Sequence, residues 1–216
     1  MPTTTIAPVA VHITEESPIF GPATATEEQV SQCILSRPTG AYTDHDVAGV
    51  IVPTYFLYCE NLRVNPVIPI AQMLYETANL TSWWAARPRR NPAGIGVSGA
   101  RQAAAPAGGG AWAYSQDTRF WLAGVSFDSW EHDAIPAHVG RLLAWCLRPA
   151  ERSAMQGALI ARALSYRPLA ARHHGSARSL KMLGKRHNLS GEGWASPGTT
   201  YGRSIAALAL QLSRGR

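Results

Sequence analysis

Residues 65–79 read NPVIPIAQMLYETAN, and this pattern predicts a helix from about Asn65 to Asn79. The proline next to Asn65 is compatible with a helix start, because the first backbone N–H groups of a helix have no partner within it. Four residues share one face of this helix, which we expect to pack inward: Ile70, Met73, Leu74 and Thr77. Gln72, Glu76 and Asn79 step by four and three residues, so we expect them to line another face together.

Glu76 is the only acid in this apolar stretch, and it lies near the predicted end of the helix. Partial burial raises the pKa of a carboxyl, and the negative end of the helix dipole acts in the same direction. Cleavage of a glycosidic bond needs such a protonated carboxyl beside the leaving oxygen. The pattern alone leaves open the alternative of a solvent-facing helical glutamate.

The same segment resembles the central motif of the glucosaminidase domain of bacterial peptidoglycan hydrolases, in which an Ala-Gln pair precedes a Glu, small residues and a Thr or Ser. Here those positions are Ala71-Gln72, Glu76-Thr77 and Thr81-Ser82. Three further segments resemble family elements in the same order along the chain: 91–97, 127–138 and 194–202.

This resemblance implies a mainly α, lysozyme-like fold with a small irregular or β lobe. It also implies endo-β-N-acetylglucosaminidase activity, the hydrolysis of β-1,4 bonds at N-acetylglucosamine in bacterial peptidoglycan. Glu76 takes the role of general acid, and Tyr201 matches a family tyrosine that lies beside the active site. For Tyr201 the alternative is a helix-start tyrosine that packs on the core. Seven residues are expected to bind the substrate: Gln72, Asn79, Trp83, Trp84, Asn91, Gly94 and Tyr114.

The chain departs from the family pattern at the second carboxylate. The corresponding region, from Ala100 to Tyr114, contains no acid, and the nearest one is Asp117. Asp117 is a candidate catalytic base or stabiliser of an intermediate, and equally a turn residue of a hairpin, the interpretation that we favour.

The composition narrows the class of partner. The net charge of +6 and the pI of about 9.6 favour a polyanion, and nucleic acid, an anionic membrane and the bacterial wall all qualify. We expect no nucleic-acid partner, because the sequence carries no nucleic-acid-reading motif and its arginines are scattered. We also expect no cofactor and no metal, since there is no HExxH and His132 and His138 do not share a helix face. The three cysteines lie among apolar neighbours and are expected to be buried, with one disulfide left open as an alternative.

The chain is expected to form one domain over residues 26–216, preceded by an extended arm over residues 1–25. Further helices are predicted at about 26–35, 43–58, 129–147, 153–166, 180–187 in part and 201–212, with a hairpin within 112–125. We expect a monomer with no membrane span, secreted or associated with the cell wall. The first 20 residues, however, do not have the pattern of a signal peptide.

Three other functions are compatible with the sequence. A lytic transglycosylase works with one glutamate in the same fold and leaves anhydro-sugar ends. A non-catalytic wall-binding module would keep the groove without turnover. A basic nucleic-acid-binding protein would lose affinity steeply with salt.

Overall fold

The computed structural model describes residues 12–107 and 111–215. Within these residues the chain forms six α-helices and three short strands. The helices are α1 (Glu27–Leu35), α2 (Val52–Leu62), α3 (Val67–Thr77), α4 (Ile135–Cys146), α5 (Ala154–Tyr166) and α6 (Tyr201–Arg214). The strands are β1 (Arg101–Gln102), β2 (Trp112–Ser115) and β3 (Phe120–Ala123). The prediction of a mainly α protein with a small β lobe is therefore confirmed.

Two helices begin where their side-chain caps predict. Thr26 accepts a hydrogen bond from the backbone N–H of Gln29, whose side chain accepts one from the Thr26 N–H, so α1 opens on a capping box. Ser153 and Gln156 make the same reciprocal pair at the start of α5.

Two other helices begin with a section whose winding is wider than that of the predicted α-helix. His45–Ile51 and Trp130–Ala134 are π-helical and continue directly into α2 and α4. Pro53 and Pro136 lie in the first turn of the α-helical parts, where proline cannot donate to the turn before it. The chain therefore passes from a wider to a normal winding at these two prolines.

Helices α3 and α4 form the centre of the molecule. Every residue of α4 is buried, and in α3 only Tyr75 and Glu76 are not. Helix α4 packs most extensively on α5, and α3 on α6. The predicted inward face of α3 is confirmed, since Ile70, Met73, Leu74 and Thr77 are all buried.

The sheet is antiparallel, in the order β1-β3-β2, and β2 and β3 form the predicted hairpin. Tyr114 pairs with Trp121, and residues 116–119 form the connecting turn.

The segment before α1 packs onto the helical domain. Ile13 and Ile19 are buried in the core, and Phe20 forms a bridge with Val64. Residues 12–25 thus belong to the packed structure, while residues 1–11 of the predicted arm lie outside the described residues.

The cysteines Cys33, Cys59 and Cys146 are buried and form no disulfide. Burial raises the pKa of the Cys59 and Cys146 thiols. Across the described part of the chain, no helix combines the length and the apolar character that crossing a bilayer requires.

Candidate functional site

Glu76 lies in the last turn of α3, where the helix reaches the surface between two adjoining cavities. The larger cavity has a volume of about 640 Å³ and the smaller one of about 310 Å³. Glu76 lines both, so its carboxyl lies where a ligand that fills both cavities would pass. A concave site of this size is typical of small-molecule and saccharide binding.

The two cavities differ in their lining. The larger one is formed by the loop at residues 93–97, by α4, and by two segments that follow α5: 167–173 and 192–196. The smaller one is formed by Tyr75 and residues 195–201, and Glu76 is its one charged residue among those described.

Tyr201 connects Glu76 to the core. Its hydroxyl donates to Glu76 Oε1 at 2.6 Å and accepts from Gln72 Nε2 at 2.9 Å. Burial raises the pKa of Glu76, while hydrogen bonds from Tyr201 and Trp194 act in the opposite direction. The net direction is upward, so the protonated form that a general acid needs is favoured over that of an exposed glutamate.

The hydrogen-bonded chain continues away from Glu76. Gln72 Oε1 is 3.1 Å from His138 Nε2, and His138 Nδ1 is 2.7 Å from the Tyr55 hydroxyl. An amide oxygen only accepts, so His138 carries its proton on Nε2 and accepts from Tyr55 at Nδ1. Every donor in the chain therefore points toward Glu76: Tyr55 to His138, His138 to Gln72, Gln72 to Tyr201, and Tyr201 to Glu76.

His138 is fully buried, and burial lowers its pKa to about 3. The imidazole is neutral at pH 7, which agrees with its one-donor, one-acceptor bonding.

The structure brings Gln72, Glu76 and Tyr201 together, but it changes the expected role of Gln72. Gln72 is fully enclosed and both ends of its amide are bonded inside the protein. It cannot touch a substrate and instead holds Tyr201 in position.

Asn79 does not share the face of Glu76, contrary to the prediction. Helix α3 ends at Thr77, and Ala78, Asn79 and Leu80 all have positive φ. This left-handed end turns the Asn79 amide toward the backbone carbonyls of Ile34 and Pro38, at 3.2 and 2.8 Å.

Asn91 supports one wall of the larger cavity but does not face it. Its side chain is buried, donates to the carbonyls of Ile95 and Val125, and accepts from the N–H groups of Ala93 and Ile95. Gly94, which was predicted to bind substrate, does line the cavity, and its φ of +60° favours glycine there.

Trp83, Trp84, Tyr114 and Asp117 line neither cavity at Glu76. Arg89 covers the ring of Trp83 at 3.6 Å, and Trp84 packs against Gly124 at the end of β3. Trp83 and Trp84, which were expected to bind the substrate, therefore belong to a packing contact between the chain after α3 and the sheet.

Tyr114 and Asp117 belong to the hairpin. The Tyr114 ring lies 5.4 Å from Trp121, and Asp117 is an exposed residue of the turn between β2 and β3. The favoured interpretation of Asp117 as a turn residue agrees with this position.

Several residues of the site were not singled out from the sequence. Arg141, Arg167, Arg172 and Trp194 line the larger cavity, and so does Glu192, which bonds the Lys185 ammonium at 3.1 Å. The sequence does distinguish Arg141, because it and His138 are the only basic side chains in an otherwise apolar helix.

Among residues 12–107 and 111–215, no group of three or more His, Cys, Asp or Glu side chains is arranged to hold a metal ion. Comparison of the chain with protein-family models, curated proteins and solved structures gave no match.

Proposed function

We propose that this chain is a glycoside hydrolase with a lysozyme-like helical fold, which cleaves β-1,4 bonds at N-acetylglucosamine in bacterial peptidoglycan. The observation that carries the proposal is the position of Glu76: a half-buried carboxyl with a raised pKa, at the junction of two cavities. Peptidoglycan as the substrate, and action at the cell wall, rest on the resemblance of the sequence motifs to glucosaminidase domains.

In this proposal the glycan strand occupies both cavities, and its scissile bond lies at Glu76. Glu76 gives its proton to the glycosidic oxygen as the C1–O bond breaks. Tyr201 positions this carboxyl through its 2.6 Å hydrogen bond to Oε1. The leaving sugar then departs as an alcohol.

Completion of hydrolysis needs a water molecule whose proton is accepted by a base. Glu192 is the second acid that lines the larger cavity among the described residues, and we propose it for this role. If the sugar's own 6-hydroxyl attacks in place of water and gives its proton to the Glu76 carboxylate, the product is an anhydro-sugar, as in a lytic transglycosylase.

The test is digestion of purified peptidoglycan by the wild type, Glu76→Gln and Glu192→Gln, with mass spectrometry of the new ends. We expect reducing N-acetylglucosamine ends from the wild type and a loss of at least about 100-fold in Glu76→Gln, because general acid catalysis contributes that much. Glu131→Gln is the matched control, since Glu131 is exposed and lines neither cavity.

Each other outcome identifies a different function. Anhydro ends that survive in Glu192→Gln indicate a transglycosylase. No fragments from the wild type, together with equal binding of wall by the wild type and Glu76→Gln, indicates a wall-binding module.

A further inference from the structure

Arg141 is a buried cation without a carboxylate partner. Only 7% of the residue is exposed. Apart from Arg141 and His138, its helix is apolar. Among the described residues, its one hydrogen bond runs from Nη1 to the carbonyl of Arg167 at 2.8 Å, and it takes part in no ion pair. Burial of a guanidinium is costly unless an anion compensates its charge.

Arg141 also lines the larger cavity. The guanidinium carbon lies 5.7 Å from the ring of Trp194, which lines the same cavity. His138 lies three residues earlier on α4 and also contacts Trp194, at 5.6 Å between ring centroids. Helix α4 therefore presents one polar face, and that face is directed to the site of Glu76.

Two further cations line the cavity, Arg167 and Arg172, and both are exposed. Neither forms an ion pair within the described chain. Of the two acids in the wall, Glu192 is paired with Lys185, and Glu76 is shared with the smaller cavity. The side chains that line the larger cavity thus carry an excess of positive charge, whereas no positively charged side chain lines the smaller one.

We propose that the larger cavity binds a saccharide unit that carries a carboxylate, held by Arg141 with Arg167 and Arg172, while the smaller cavity takes an uncharged sugar. Guanidinium groups bind carboxylates through charge-assisted and often paired hydrogen bonds, and Trp194 offers a flat face to the ring. This inference rests on the proposed function and gives the strand a direction: the acid-bearing sugar lies on the side of α4, and the neutral sugar on the side of α6.

The test is a binding measurement, which does not depend on cleavage. The Glu76→Gln protein is titrated by calorimetry with N-acetylmuramic acid, with its methyl ester, and with N-acetylmuramyl-L-alanine, whose carboxylate lies on the amino acid. We expect the free acid to bind about tenfold more tightly than the ester, because the ester removes the charge and leaves the ring unchanged. The alanine derivative distinguishes a site for the carboxylate of the sugar from one for the carboxylate of an attached peptide.

Two exposed variants, Arg167→Gln and Arg172→Gln, are expected to reduce the preference for acid over ester, and Arg141→Gln to abolish it. Arg37→Gln removes the same charge from an exposed position outside the cavity and should leave the preference unchanged. Equal affinity for acid and ester overturns the proposal, as does full preference in the Arg167→Gln/Arg172→Gln double variant. The double variant decides the question even if Arg141→Gln does not fold.

A loss of preference on arginine substitution, with cutting of neutral chitin oligosaccharides retained when the same substitution is made beside an intact Glu76, would leave the glycosidase proposal in place. Conversely, a wild type that discriminates acid from ester but cuts nothing would retain the binding site and exclude the enzyme. The two proposals can therefore fail separately.

Discussion

Tyr201 and Glu76 shift each other's pKa in opposite directions. The tyrosine hydroxyl stabilises the carboxylate form of Glu76 by donating a hydrogen bond, and so lowers the pKa that burial raises. Burial raises the pKa of Tyr201, and the neighbouring Glu76 carboxylate raises it further. The tyrosine therefore sets where Glu76 titrates as well as where its oxygen lies.

Replacement of Tyr201 by phenylalanine should move the pH profile of cleavage. In the proposed mechanism Glu76 is a general acid, which works only when protonated, so activity should fall as the pH rises through the pKa of Glu76. Tyr201→Phe removes a hydrogen bond that favours the carboxylate, so this alkaline limb should shift to higher pH. The rate itself should fall about tenfold or more, because the carboxyl loses its orientation. Initial rates on peptidoglycan between pH 4 and 9 measure both effects.

Tyr114→Phe is the control for this experiment. Tyr114 lies on the hairpin, lines neither cavity at Glu76 and is 38% exposed. Its loss of a hydroxyl should leave the alkaline limb in place. An unchanged limb in Tyr201→Phe as well would assign that tyrosine a purely structural role.

At this scale the sequence singled out Glu76 and Tyr201, because both lie in short motifs, and the structure brings the two side chains into contact. It did not predict which groups Arg141 contacts, or that both ends of the Gln72 amide are hydrogen-bonded inside the protein. Those depend on which side chains face each other in the folded protein, and the sequence pattern only assigns a residue to a helix face.

The close contact between α4 and α5 depends on a glycine, which has no side chain to separate the two helices. A Cβ atom at Gly140 would lie 2.2 Å from the carbonyl oxygen of Leu159, a backbone atom that cannot move aside without shifting α5. Since α4 carries both His138 and Arg141, the position of α5 also affects the wall of the larger cavity.

Gly140→Ala should destabilise the protein by about 1–3 kcal/mol, the usual cost of overpacking, although alanine favours a helix. Gly157→Ala provides the opposite case, because a Cβ atom at Gly157 in α5 meets nothing within 4 Å. That variant should gain up to about 1 kcal/mol from helix propensity alone. Urea unfolding of both variants measures the difference, and similar midpoints would contradict the close helix contact.

Helix boundaries were predictable where a side chain marks them. The capping boxes at Thr26 and Ser153 are visible in the sequence and begin α1 and α5. The π-helical sections before α2 and α4 were not predictable, because an apolar stripe at three- and four-residue steps does not distinguish their wider winding. The left-handed end of α3 was missed for a similar reason: Ala78, Asn79 and Leu80 include no glycine to mark it.

The buried hydrogen-bonded chain joins four helices across the whole molecule. Tyr55 lies on α2, Gln72 on α3, His138 on α4 and Tyr201 on α6. Gln72 and Tyr201 are 129 residues apart in sequence, and Tyr55 and His138 are 83 apart. Local periodicity carries no information about such pairings, which is why the sequence did not predict them.

This buried hydrogen-bonded chain should make the stability of the fold sensitive to acid. The native His138 has its pKa lowered to about 3, whereas in the unfolded chain a histidine titrates near 6.5. Between these values the unfolded state binds a proton that the native state does not, so stability present above about pH 6.5 is lost as the pH falls toward 3. The slope from this group is about 1.4 kcal/mol per pH unit.

Unfolding of the wild type and His138→Gln at pH 7 and pH 4.5 tests this expectation. The variant should be less stable at pH 7, because Tyr55 and Gln72 lose a matched partner, yet its stability should fall less between the two pH values. His132→Gln, at an exposed position, should follow the wild type. Parallel pH dependence of all three proteins would show that His138 is not the titrating group.

The buried cysteines have a consequence for the surroundings in which this chain can work. All three sulfurs are enclosed, two of them with a raised pKa, and none forms a cross-link. The fold therefore derives no stability from an oxidising compartment and offers no thiolate at its surface to glutathione or to oxidants. The native protein should therefore keep the same melting temperature with or without a reductant.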